Sequence, residues 1–216
     1  DRRLIYGTAM HGALFDFFEV YRTKNYLPAK NLLIKSFQTR LDCEPLSTVD
    51  HEVVLERGAR ALAGYYNQYK KTFVPPLVNE LSIRGVLLDS KFSRLNPSLR
   101  LVGQIDKIEL LGDEEFSEQE KKIVRVIDYK TGRPRTRNEI LGKTRGSDGN
   151  YWRQLVFYKL LLDRWDNGKY QVAEGELDFL EPARLLGGPA MNKNYKRESF
   201  AITSEDTVAL AVTIRQ

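Results

Sequence analysis

The spacing of apolar residues changes from a helical to a strand-like period about a third of the way along the chain. In the first part, apolar residues recur at intervals of three and four, which predicts helices over about residues 4–22, 28–41 and 49–73. Pro75 and Pro76 end this helical part. The third helix is expected to bury one apolar side, which carries Val53, Leu62, Tyr65 and Tyr69.

Shorter segments follow, and they predict a sheet. Strands are expected at about 77–88, 99–111 and 123–130, and then at about 172–180 and 198–202. The polar segment RPRTRNEILGKTRGSDGN is expected to be a loop, and YWRQLVFYKLLLDRW after it predicts a helix. Thr203 can cap a last helix. This order predicts an α/β fold, in which a mixed β-sheet is flanked by helices and preceded by an N-terminal helical segment.

Two of the predicted strands each carry an aspartate where a core strand is normally apolar. They are GQIDKIE, from Gly103, and VIDYKTG, from Val126, and the polar stretch GDEEFSEQEKK between them is typical of a hairpin loop. If the hairpin is centred near Ser117, Asp106 lies opposite Asp128, with side chains roughly 5 Å apart. Two facing carboxylates repel each other unless a positive charge lies between them.

A divalent cation would supply that charge, and Lys130 lies on the same strand face as Asp128 because side chains alternate along a strand. Carboxylate-bound Mg²⁺ or Mn²⁺ beside an ammonium group suits phosphodiester hydrolysis. The alternative is a strand that enters a turn, with solvated charges at its end. That alternative explains either acid alone about as well, but it explains the pair with the lysine less well.

Three further polar residues could belong to the same site. Gln154 and Tyr158 lie four residues apart on the predicted helix and therefore share a face, from which they could orient the lysine or a phosphate. His11 lies on the first predicted helix. Each has an ordinary alternative, because Tyr158 could be a core residue, Gln154 a boundary residue and His11 a hydrogen-bonded core histidine.

Composition narrows the class of protein only moderately. The chain has 216 residues, of which 42% are hydrophobic, so we expect residues 1–216 to form a single domain. The net charge of +5 suits a polyanionic partner but is common in other proteins.

The single cysteine, Cys43, excludes a disulfide framework and an iron–sulfur cluster ligated by this chain alone. It also fits a reducing compartment, so we expect a cytoplasmic protein, and no apolar run reaches transmembrane length. Because the chain starts at Asp1 and stops inside a predicted helix, we expect it to be a piece of a larger protein.

The segments GTAMH, GQIDKIE, VIDYKTG and QLVFY, in that order, resemble the RecB-type branch of the PD-(D/E)xK nuclease superfamily. The resemblance spans the chain from Gly7 to Tyr158. It implies a restriction-endonuclease-like core. It also implies a setting at the C-terminus of a UvrD/Rep-type helicase, or in AddAB or RecBCD complexes.

The resemblance also implies roles for individual residues. His11, Asp106 and Asp128 would bind the metal together with the backbone carbonyl of Tyr129, and Lys130 would be the catalytic lysine. Gln154 and Tyr158 would form the accessory motif that marks this branch. The metal would be Mg²⁺ or Mn²⁺, since one ligand is nitrogen and the rest are oxygen. Relatives with an iron–sulfur cluster carry four cysteines, so no cluster is expected here.

A basic loop follows the second acidic strand and is a candidate for DNA contact. Arg133, Arg135 and Arg137 could bind the DNA backbone near the scissile phosphate, and Tyr151 could stack on a single-stranded base. A solvated loop and a packed tyrosine are the alternatives.

Three functions remain open at this point, of which an unrelated metal-binding or RNA-processing protein is the least favoured. The first is a metal-dependent DNA nuclease, exonucleolytic on single-stranded ends that a helicase delivers, in DNA repair or recombination. The second is a catalytically inactive module that keeps the nuclease fold and binds DNA or docks within a helicase complex. Inactive domains of this kind usually lose an acid or the lysine, and this chain keeps both.

Overall fold

The arrangement of helices and strands follows the change of period along the chain. In a computed structural model, residues 1–88, 99–112, 121–183 and 194–214 are described, so most of the predicted hairpin loop lies outside the described residues. The elements are α1 (Arg2–Lys24), α2 (Lys30–Asp42), α3 (Thr48–Tyr69), β1 (Val78–Leu88), β2 (Leu99–Leu110), β3 (Lys122–Lys130), α4 (Arg137–Ile140), α5 (Asn150–Leu162), a 3-10 turn (Asp166–Gly168), β4 (Tyr170–Phe179), β5 (Lys196–Ala201) and α6 (Ser204–Ile214).

The three N-terminal helices are confirmed, but the buried side of α3 was predicted one residue out of phase at its start. Val53 is 55% exposed, whereas Val54 is 7% exposed. Val54, Ala61, Leu62 and Tyr65 follow the helical repeat and form the buried side. α3 ends at Tyr69, before the residue at which Pro75 and Pro76 would force it to end. The amides of Thr72 and Phe73 both bond the Tyr69 carbonyl, and these turns lead to the buried Phe73.

In the described residues, five strands form one mixed sheet in the order β1-β2-β3-β4-β5. The mixed sheet was predicted, whereas the order of its strands was not. β2 and β3 are antiparallel, and Lys107 lies opposite Ile127. β3 and β4 run parallel, since their starts are joined by a bond from the Lys122 amide to the Lys169 carbonyl and their ends by one from the Leu180 amide to the Lys130 carbonyl. β5 returns antiparallel to β4, because the Ile202 amide at its end bonds the Ala173 carbonyl near the start of β4.

Side-chain caps fix the starts of α4 and α6. Thr136 accepts a bond from the Glu139 amide while Glu139 accepts one from the Thr136 amide, which nucleates α4 inside the segment predicted to be a loop throughout. The predicted cap of the last helix is confirmed, since the Asp206 amide donates to Thr203 Oγ1 over 3.3 Å and the Thr203 amide donates to Asp206 over 2.8 Å.

The chain divides into two compact units. The first contains Asp1–Asn79, Tyr129–Pro134 and Asp178–Arg197, and the second contains Glu80–Asp128, Arg135–Leu177 and Glu198–Gln216. β3 and β4 each start in the second unit and end in the first. Asp128 and Lys130 therefore belong to different units although they lie two residues apart on one strand.

A buried ion pair helps to hold the first unit together. Asp178, which is fully buried at the end of β4, accepts a 2.6 Å hydrogen bond from the Tyr65 hydroxyl of α3. Arg197 lies 3.0 Å from the same carboxylate, and its guanidinium stacks over the ring of Tyr69 at 3.9 Å. The charge of Asp178 is thus compensated where water cannot reach it, which joins α3 to the end of β4 and the start of β5.

This pair makes a stability prediction. Asp178→Asn removes the carboxylate that pairs with Arg197 and should lower the free energy of unfolding by about 3 kcal/mol, because a buried charge loses its partner. Tyr65→Phe removes one hydrogen bond only and should cost about 1 kcal/mol. Urea unfolding followed by circular dichroism measures both, and an Asp178→Asn protein as stable as the parent would contradict this account.

Candidate active site

Asp128 is held in place by the helix that follows the basic loop. Asp128 is 3% exposed, and its Oδ1 accepts a 2.8 Å hydrogen bond from the hydroxyl of Tyr158. The side-chain amide of Gln154 in turn donates to that hydroxyl over 2.8 Å. One turn of α5 separates the two residues, so the spacing in the sequence creates the relay. Gln154 and Tyr158 share a face as predicted, and that face is directed at Asp128.

Asp106 lies on the same side of the hairpin as Asp128. The β2–β3 register pairs Lys107 with Ile127, and continuing it by one residue pairs Asp106 with Asp128, as the centre near Ser117 predicted. Burial raises the pKa of Tyr158 well above its usual range, and the charges of Asp128 and Asp106 raise it further. The phenol therefore stays protonated as a donor, and both acids lie within electrostatic reach of it.

The first unit contains three of the predicted site residues. His11 lies in α1, and Tyr129 and Lys130 lie at the end of β3. The ring of His11 meets that of Tyr129 edge-on, with 6.0 Å between centroids. Phe18 stacks on Tyr129 at 6.4 Å. A side chain added at Gly7 would lie 3.6 Å from the hydroxyl of Thr131, so α1 passes close beside the end of β3. The segment GTAMH thus places His11 against Tyr129, the residue after Asp128.

The predicted DNA contacts have different surroundings. Arg137 donates to the Ser199 carbonyl over 2.9 Å and stacks over Phe200 at 4.0 Å, so it is partly committed to β5. Arg135 forms a 3.4 Å ion pair with Glu139. Arg135 and Tyr151 line a recess of about 210 Å³ near the start of α5. Arg133 belongs to the other unit, so the structure groups Arg135 with Tyr151 and leaves their role in DNA binding a prediction.

A buried lysine beside the site was missed. Lys107 is 1% exposed and lies 2.7 Å from Glu109 on the same strand, and Arg125 of β3 lies 3.7 Å from Glu109. Side chains alternate along β2, so this ion pair lies on the opposite face of the strand from Asp106. Lys107 and Glu109 lie two residues apart in GQIDKIE, and this spacing on a strand could have indicated the ion pair.

The donor set fits a divalent cation. Two carboxylates, one of them buried, are hard oxygen ligands, and a shared cation would offset their repulsion. In the described part of the chain, no group of three or more His, Cys, Asp or Glu side chains could hold a metal ion. The carboxylate pair would therefore be a partial ligand set, of the kind that Mg²⁺ uses when it keeps several water molecules.

The relay predicts a measurable coupling. Tyr158→Phe should lower the free energy of unfolding by about 1–3 kcal/mol, because a buried carboxylate loses a donor. In an Asp128→Ala background the same change should cost less, since the bond is already absent. Urea unfolding of the four proteins measures the coupling. Tyr151→Phe on the same helix is the control, and a coupling of zero would mean that the bond contributes nothing.

Comparison with known proteins identifies a family. A model of the PD-(D/E)XK nuclease superfamily matches residues 1–214, and no curated protein matches the sequence. Nucleases of this superfamily generally use divalent metal ions such as Mg²⁺, and the family implies DNA as the substrate. Among the described residues, every helix is too short or too polar to cross a bilayer. The match covers almost the whole chain, which therefore belongs to the PD-(D/E)XK nuclease superfamily.

Proposed function

We propose that this protein is a metal-dependent DNA nuclease that hydrolyses phosphodiester bonds at single-stranded ends. The observation that carries the proposal is the buried Asp128, held by Tyr158 and facing Asp106 across an antiparallel pair, in a chain of a nuclease superfamily.

Asp106 and Asp128 are the proposed metal ligands. The segments GTAMH and VIDYKTG support His11 and the carbonyl oxygen of Tyr129 as further ligands, although the described structure does not gather His11 and the two aspartates into one ligand group. When bound, Mg²⁺ or Mn²⁺ would lower the pKa of a water molecule and offset negative charge on the phosphate. Water molecules and DNA oxygens would complete the coordination shell. Tyr158 and Gln154 act as positioning residues, because the hydroxyl of Tyr158 fixes one oxygen of Asp128 and so aims the other.

Lys130 is the proposed catalytic lysine. Its backbone carbonyl is tied to the Leu180 amide at 2.9 Å, which fixes the strand end from which the side chain projects. There the ammonium group would hold the attacking water or stabilise the charge that develops on the phosphate. Arg133, Arg135, Arg137 and Tyr151 are the proposed contacts to the DNA strand.

The wider setting is part of the same proposal. The motif order from GTAMH to QLVFY supports a RecB-type domain of a larger cytoplasmic helicase–nuclease, acting exonucleolytically in DNA repair or recombination. On this proposal the helicase delivers single-stranded ends to a single nuclease domain that spans residues 1–216 and needs no iron–sulfur cluster.

A cleavage assay tests the activity. The protein should degrade end-labelled single-stranded DNA in Mg²⁺ or Mn²⁺, and Asp128→Ala and Lys130→Ala should each reduce the rate by at least about 100-fold, as loss of a group that stabilises transition-state charge does. Lys121→Ala, an exposed lysine just before β3, is the control and should leave the rate unchanged.

The outcomes separate the proposals. DNA binding without cleavage in any metal would favour the inactive module. Cleavage that survives both substitutions would place the active site elsewhere.

Metal binding gives a prediction that does not need activity. The chain has two histidines, and His11 is the one that lies against Tyr129. His11→Ala should weaken Mn²⁺ binding by about ten-fold or more, in the range seen when metal sites lose a supporting group. His51→Ala should not, because His51 pairs with Asp42 at 2.8 Å. Isothermal titration calorimetry measures both, and equal affinities would remove His11 from the site.

A further inference from the structure

A second polar cleft lies in the first unit, and both of its walls leave the sheet where the strand of Lys130 ends. It has a volume of about 340 Å³ and is lined by Arg57, Arg133, Pro134, Glu181, Pro182 and Ala183. Arg133 follows Lys130 by three residues. Glu181 follows Leu180, whose amide is bonded to the Lys130 carbonyl at 2.9 Å. The cleft therefore begins within a few residues of the proposed catalytic lysine on each side.

Arg57 is held in a fixed position in this cleft. Its Nε lies 2.9 Å from Oε1 of Glu181, and its guanidinium stacks over the ring of Tyr6 at 4.3 Å. The hydroxyl of Tyr6 donates to the same glutamate oxygen over 2.5 Å. A guanidinium clamped between a ring and a carboxylate loses little further freedom when it binds a ligand. Tyr6 and Glu181 thus act as positioning residues for Arg57.

The charge of the cleft favours an anion. Two guanidinium groups face one carboxylate among the lining residues, and that carboxylate is already bonded by Tyr6 and Arg57. Burial and the charge of Glu181 raise the pKa of Tyr6, so its hydroxyl stays a donor. The contacts described for Arg57 use Nε and the face of the group, which leaves its two terminal nitrogen atoms available to a ligand. A planar fork of this kind matches phosphate oxygens.

We propose that this cleft binds a backbone phosphate of single-stranded DNA next to the scissile phosphate, with Arg57 and Arg133 as the contacts. Pro134 and Pro182 supply an apolar wall on which a sugar or base can rest. The cleft proposal rests on the proposed nuclease function and adds to it the path that the DNA strand takes away from Lys130. Arg57 lies in α3, outside the four nuclease motifs, so these motifs do not identify it as a binding residue.

The test measures binding without cleavage. Fluorescence anisotropy with a labelled oligothymidylate in EDTA should show about ten-fold weaker binding for Arg57→Ala, the effect of losing one charge-assisted hydrogen bond. The slope of log affinity against log salt should fall by about 0.7, the value for one phosphate contact on a single strand. Arg60→Ala removes an exposed guanidinium one turn further along α3 and should change neither quantity. Arg57→Gln keeps the length of the side chain if the alanine variant is unstable.

Three results are decisive. Variants at Arg57 that bind like the Arg60 control would overturn the cleft proposal, even if the parent cleaves DNA normally. Binding that depends on Arg57 in a protein that never cleaves would support the cleft and overturn the nuclease proposal. If the parent protein cleaves DNA, an Arg57→Gln variant with the same KM as the parent would also count against the cleft.

Discussion

The site depends on how one buried negative charge is accommodated in the sheet. Asp128 is 3% exposed on β3, where an unsatisfied carboxylate would be costly. Tyr158 offsets part of that cost by donating a hydrogen bond, and Gln154 fixes the donor from one helical turn away. The antiparallel register then adds a second acid, Asp106, next to the first. Two acids are thus kept together at the expense of stability, which is typical of functional sites rather than of structural cores.

The end of β3 connects this acidic pair with the helical part of the chain. Two residues beyond Asp128, the strand carries Lys130, and between them lies the buried Tyr129, against which His11 and Phe18 pack. The neighbouring strand β4 carries Asp178 near its end, and Asp178 is bonded to Tyr65 of α3. The chain therefore places its nuclease motifs on strands and helices that are fixed by packing and by buried polar bonds, as a preorganised site requires.

Much of this could be predicted from the sequence, because the chemistry lies in short, regular segments. The strand period and the polar loop between two acids were enough to place the hairpin register, and a spacing of four was enough to put Gln154 and Tyr158 on one face. The sequence did not show that Tyr158 bonds Asp128, since this depends on how α5 packs on the sheet. Val53 was placed on the wrong side of α3 because neighbouring valines at 53 and 54 fit a helical pattern equally well. Arg57 and Glu181 were missed because they are 124 residues apart and meet only in the folded chain.

The central claim is that Asp106 and Asp128 share a divalent cation. Crystals grown with Mn²⁺ and measured near the manganese absorption edge test it most directly, because the anomalous signal locates the ion without reference to activity. The account predicts a peak about 2.1 Å from a carboxylate oxygen of each aspartate. A peak bound to only one of them, or an ion elsewhere while the two carboxylates point to opposite faces of the sheet, would contradict it.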